Sequence, residues 1–154
     1  MTIHSSERLV IRHFKDSDAK FILKLLNDES FIKNIGDKKV RSVDDAIQYL
    51  SDGPVASYKL YGFGLNMIQL KASGEPIGMC GLLKRERFEY PDLGYALLPE
   101  FCGRGYAKEA SRAVMKNGHE HHNLHTILAF TSPENKSSNI LLKRLGFTFK
   151  DVIT

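Results

Sequence analysis

The chain has 154 residues, 42% apolar and 26% charged, a balance that supports one globular core and excludes a disordered or fibrous chain. No apolar run approaches the roughly 18 residues of a membrane span, and Met1–Glu7 holds no signal-like stretch, so one cytoplasmic domain over 1–154 with no membrane partner is expected. Two cysteines, Cys80 and Cys102, are too few for a disulfide framework, and a net charge of +4 without a basic block does not call for nucleic acid.

Arg8–Arg12 reads as a short strand. Asp16-Ser17-Asp18 then caps a helix that carries Ala19, Ile22, Leu23 and Leu26 on one face. Ser30 to Lys39 is polar and irregular. Ser42-Val43-Asp44-Asp45 resembles a capping box with Asp45 in place of Glu, and opens a helix through Leu50. Gly64–Lys71 and Ile77–Leu83 read as a hairpin about the turn Ala72–Pro76. Leu93–Leu98 is an apolar strand that Pro99 stops. A long helix follows, with Tyr106, Ala107, Ala110, Ala113, Val114 and Gly118 at helical spacing. Thr126–Thr131 reads as a strand, and a helix with Ile140, Leu141 and Leu145 ends at Gly146. Phe147–Ile153 is the last strand expected. Short turns imply an antiparallel section, and the later strand-helix-strand step implies a parallel pair. The expected fold is α+β, with a mixed, mostly antiparallel sheet flanked by helices.

The chemistry concentrates where Leu93–Leu98 runs into Cys102-Gly103-Arg104-Gly105-Tyr106-Ala107 and then a helix. The first turn of a helix has unpaired N–H groups and partial positive charge, which together bind phosphate. Gly103 and Gly105 leave the backbone open to an anion, and Arg104 and Lys108 add charge. No Gly-Lys-Ser/Thr ending of a P-loop is present, and the spacing is not that of the three-glycine dinucleotide fingerprint.

Residues 102–107 resemble motif A of the GNAT acetyltransferases, Gln/Arg-x-x-Gly-x-Gly/Ala. The string Gly94-Tyr95, Pro99-Glu100-Phe101, Gly103 to Ala107 and Glu109-Ala110 is similar to the branch of ribosomal-protein N-terminal acetyltransferases. Arg8-Leu9 with Arg12, Ile77-Gly78, Asn135 with Ser138, and Leu145-Gly146-Phe147 extend the likeness over almost the whole chain. Cys102 stands where that family has Gln or Arg, and Leu142 stands where it often has Tyr. The chain also ends at Thr154, short of the family's last strand, which implies an exposed sheet edge and either a monomer or a homodimer.

The resemblance implies an N-acetyltransferase. An amine acceptor, either a protein N-terminus or a small molecule, attacks acetyl-CoA directly in a ternary complex, with no metal. It implies that a bulge splays the motif A strand from the next one. By position, Leu97 then offers a backbone N–H to the thioester carbonyl, while Leu98 and its neighbours pair with pantetheine. Cys102, Gly103, Arg104, Gly105, Tyr106 and Ala107 hold the diphosphate. Asn135 and Lys143 are further cofactor contacts, although Asn135 also suits a helix cap. Asp92 and Glu89 are the candidate bases, with Glu86 beside them, and Tyr95 is placed to orient substrate or relay a proton. Each also fits a plain structural role, as a solvated turn carboxylate or a packed strand aromatic. The acceptor pocket is expected from 31–39, 58–63 and 85–90, since loops carry specificity. The alternative is a catalytically weak module that senses acetyl-CoA.

Overall fold

The computed structural model describes residues 1–150. Six strands form one sheet in the order of the chain: β1 (Thr2–Ser5), β2 (Leu9–His13), β3 (Leu65–Leu70), β4 (Pro76–Leu83), β5 (Asp92–Leu97) and β6 (Leu128–Ala129). The pairs from β1 to β5 are antiparallel and β5–β6 is parallel. Helices α1 (Ala19–Leu26), α2 (Glu29–Asn34), α3 (Val43–Leu50) and α4 (Ala56–Tyr61) lie in the chain between β2 and β3. Helix α5 (Tyr106–His122) joins β5 to β6, and α6 (Lys136–Arg144) follows. Residues Ile77 to Leu82 of β4 are buried without alternation, as in a strand covered on both faces.

Local chemistry explains the elements that were expected. In α1, Ala19, Ile22, Leu25 and Leu26 are buried, with Leu23 at the margin of the apolar stripe. Asp18 is buried just before it, where its two oxygens accept from Arg12 at 2.8 Å each and one also accepts from the Lys15 amide. The Ser42 hydroxyl oxygen accepts from the Asp45 amide, while Asp45 accepts from the Arg41 amide, one residue earlier than a regular capping box requires. α5 buries Ala110, Ser111, Ala113, Val114 and Gly118 against β4 and β5.

Several expectations need correction. β1 was not foreseen: its four residues include one strongly apolar side chain, Ile3, and the strand exists by pairing with β2. Ser30–Lys39 is not irregular throughout, because Asp28 accepts from the Ser30 amide and starts α2, which buries Phe31. Helix α3 continues through a π turn at Ser51–Val55 into α4. Pro54 sits inside that turn and brings no N–H, so the α ladder cannot run through it. β6 is two residues rather than six. Residues 147–150 of the expected last strand form no strand, and 151–153 lie outside the described residues.

Candidate functional site

The register of β5 fixes where its backbone groups point. The Leu98 amide donates to Ile77 of β4 at 2.9 Å, so Asp92, Gly94 and Ala96 turn their N–H and C=O toward β4, while the Leu98 carbonyl accepts from the Phe101 amide. Leu93, Tyr95 and Leu97 turn theirs the other way, as does the Pro91 carbonyl, which accepts from the Leu128 amide of β6. β6 pairs with Asp92 and Leu93 and then leaves the ladder. The Tyr95 and Leu97 amides therefore face an opening between β5 and β6, whereas Leu98, expected to pair with pantetheine, has its amide spent on Ile77 and its carbonyl on the Phe101 amide. β4–β5 pairing is continuous from Gly78–Leu97 to Leu83–Asp92, with no bulge. The expected bulge is thus replaced by an early departure of β6.

β5 leads through one 3-10 turn, Pro99–Phe101, into the glycine-rich loop. Gly103 has φ +77° and Gly105 φ +82°, a region costly for any residue with a Cβ. Gly105 caps α5 with no side-chain partner, and its carbonyl accepts the first helical bond, from the Glu109 amide. The amides of Tyr106, Ala107 and Lys108 precede that bond and have no helical acceptor. A Cβ on Gly103 would meet nothing within 4 Å, so the loop's surface is open. Free amides at a helix start are of the kind that bind anions, and this start follows directly on β5 and its 3-10 turn.

The other expected residues are placed unevenly. Tyr95 reaches α6, where its hydroxyl and that of Ser138 are 2.7 Å apart, and burial raises its pKa, so it stays protonated near neutral pH. Asn135 caps α6, its Oδ1 accepting from the Ser138 amide at 3.2 Å. Lys143 is exposed in the last turn of α6, at the end away from Ser138. Cys102 is on the loop surface with its Sγ toward the Leu98 carbonyl. Partial burial pushes its thiol up, and full burial pushes Cys80 up to about 12, which leaves neither as a ready thiolate nucleophile.

Asp92 is 3% exposed and both oxygens accept from Arg85, at 2.8 and 3.3 Å. Its acceptor capacity is committed to the loop before β5, whereas Glu89 on that loop is exposed. Of the expected acceptor segments, 85–90 reaches the opening: Phe88 packs on Phe130, the residue where β6 leaves the sheet, at 4.6 Å. Tyr58, by contrast, stacks on His13 at 3.7 Å and its hydroxyl is taken up by Phe14 and Leu65. Gly62 and Phe63 line a cavity of about 310 Å³ beside Val114 and His122, far along α5 from the loop.

Sequence reasoning missed the support of the loop. Arg8, from the β1–β2 turn, donates Nη1 to the Arg104 carbonyl at 2.9 Å and Nε to Glu109 at 2.7 Å. Its presence in the family-like string Arg8-Leu9 was the available signal, but its partner lies 101 residues away.

The profile of the GNAT acetyltransferase domain matches residues 8–148. The chain belongs to the GNAT acetyltransferase family. The uncharacterized N-acetyltransferase YoaA of Bacillus subtilis is 26% identical over 153 residues, 98% of this chain and 85% of YoaA. The crystal structure of an acetyltransferase from Agrobacterium tumefaciens is 26% identical, covers 98% of this chain and 86% of its own, and superposes with a TM-score of 0.84. RimL, a ribosomal L7/L12 α-N-protein acetyltransferase solved with coenzyme A, shares the GNAT fold at TM-score 0.81 and 17% identity, covering 98% of this chain and 86% of RimL.

Proposed function

We propose that this GNAT protein transfers the acetyl group of acetyl-CoA to a primary amine by direct attack. The observation that carries the reading is the open β5 edge leading into a helix start at Gly105 that has no side-chain cap. The diphosphate lies in the loop 103–107 on the amides of Gly105 to Lys108, and pantetheine adds to the β5 edge as a strand would. Leu97 and Tyr95 then present two amides to the chain of the cofactor. The one at Leu97, nearer the loop, pairs with pantetheine or carbonyl first, and Tyr95 extends the same line. That RimL, a protein of the same fold, was solved with coenzyme A supports coenzyme A as the ligand. The Tyr95 hydroxyl, kept protonated, relays a proton in company with Ser138.

The acceptor follows from the carboxylates near the opening. Among the described residues there, Asp92 is paired with Arg85 and Glu89 is exposed, so neither stands as a dedicated buried base. A lysine amine, with a pKa of about 10.4, needs such a base, whereas an α-amine near 7.7–8.0 does not. An acceptor with a low-pKa amine, of a protein N-terminus or a small molecule, fits best. With an α-amine acceptor, kcat/KM is expected to rise with pH and level off near the acceptor's own pKa, about 8. Asp92→Asn should leave that midpoint in place. A midpoint that tracks the enzyme instead of the amine, and vanishes in Asp92→Asn, would restore Asp92 as the base. The activity itself is tested by coenzyme A release across a panel of peptide α-amines, lysine peptides and small amines. Binding without release in any member would make the chain a sensor.

A further inference from the structure

The loop that receives the anion has two glycines at positive φ, and a glycine backbone allows its peptide planes to flip. Something must select the orientation that aims N–H groups outward. The Arg104–Gly105 peptide is planar and trans, so its C=O and N–H point in opposite directions. Its carbonyl is held by Arg8 at 2.9 Å. The Gly105 amide is therefore directed away from Arg8.

Arg8 is itself fixed from three directions. Its Nε lies 2.7 Å from Glu109, and its guanidinium carbon lies 4.4 Å above the Tyr106 ring. Glu109 also accepts from the Arg8 amide at 2.8 Å and from the Ser6 hydroxyl at 2.6 Å. Burial works against the charge on Glu109, but the Ser6 and Arg8 bonds outweigh it and its pKa is lowered. A Cβ at Gly105 would come within 3.3 Å of Arg8 Nη2, which shows how closely the guanidinium follows the loop. Arg8 also lines a groove of about 490 Å³ together with Gly105, Lys108, Arg112 and Lys116.

We infer that Arg8, oriented by Glu109, is a positioning residue that locks the Arg104–Gly105 peptide so that the Gly105 amide joins those of Tyr106 to Lys108 on the cofactor's diphosphate. This role rests on the acetyl-CoA reading of the loop. A planar fork is required, because one group must serve the Glu109 carboxylate and the Arg104 carbonyl together.

The test compares two thioesters, acetyl-CoA and S-acetylpantetheine, the second lacking the diphosphate, with the best amine acceptor of the panel. In Arg8→Gln, KM for acetyl-CoA is expected to rise about tenfold, the loss expected for one charge-assisted hydrogen bond, with kcat within about twofold of wild type. The kcat/KM for S-acetylpantetheine should not change. Arg8→Lys should recover only part of the loss, since an ammonium reaches one partner or the other. Glu109→Gln, which leaves Arg8 in place but loosens it, should raise the same KM to a smaller extent, and serves if Arg8→Gln folds poorly. Equal losses with both thioesters, full recovery in Arg8→Lys, or an unchanged KM in a folded variant would overturn the role. A wild-type protein that uses neither thioester and does not bind coenzyme A would instead overturn the acetyl-CoA reading beneath it.

Discussion

Gly105→Glu is expected to weaken coenzyme A binding more than a hundredfold while the protein still folds. Three effects act together. The new carboxylate sits at the start of α5, where the amides of Tyr106 to Lys108 would otherwise meet a phosphate. A carboxylate near a helix start, and beside Arg8, is electrostatically favourable, so the helix keeps its entrance and the fold survives. It also places like charge against the diphosphate, and a hundredfold corresponds to about 2.7 kcal/mol, within reach of one such contact at a partly enclosed site. The backbone exacts something as well: a Cβ at φ +82° costs about 1–2 kcal/mol of stability. Gly105→Ala carries the same strain without the charge and separates the two contributions. Calorimetry on both variants should find coenzyme A affinity lost in the first and only moderately reduced in the second. Equal affinities for Gly105→Glu and wild type would remove the loop from the site.

Gly81→Ala is expected to be the most destabilising single methyl in the sheet. Gly81 pairs with Leu65 of β3 and Gly94 of β5. A Cβ there would lie 2.0 Å from the Gly64 carbonyl oxygen and 2.6 Å from the Leu65 Cα. Both are backbone atoms, so relief requires parting β3 from β4 rather than turning a side chain. A loss of about 3 kcal/mol is expected, at the upper end for overpacking in a core, read as a lower urea midpoint at unchanged slope. Gly53→Ala supplies the contrast. Its Cβ would meet nothing within 4 Å, in the helical stretch between α3 and α4. There the smaller entropy of the unfolded chain should give a gain of about 0.5–1 kcal/mol. A tolerated Gly81→Ala would mean that the sheet centre has slack that the packing does not show.

The parts of the structure legible in the sequence are those whose causes are local. The β5–loop–α5 unit could be read because Pro99, Gly103 and Gly105 impose their own geometry, and the α5 stripe repeats over four turns. Ser42 with Asp45 could be read because a cap reaches only three residues. β1 could not, because Thr2 to Ser5 carry almost no pattern and owe their extended form to β2. α2 could not, because a single buried side chain, Phe31, is too little for a period. The width of the opening was equally hidden, since it depends on where β6 leaves β5 and not on β5's own residues. In the candidate site, the Leu97 amide and the loop were proposed from position, and Leu98 from the same reasoning, but Leu98 is used up by Ile77 and Phe101. The Arg85–Asp92 pair and the Arg8–Glu109–Arg104 support were not, because each joins groups that only the folded chain brings together.

A crystal structure of the protein with coenzyme A bound tests the central claim most directly. The diphosphate oxygens should lie about 2.7–3.2 Å from the amides of Gly105 to Lys108, with pantetheine alongside β5 and bonded to the Leu97 or Tyr95 amide. Coenzyme A bound elsewhere, or density absent from the loop at saturating ligand, would contradict it.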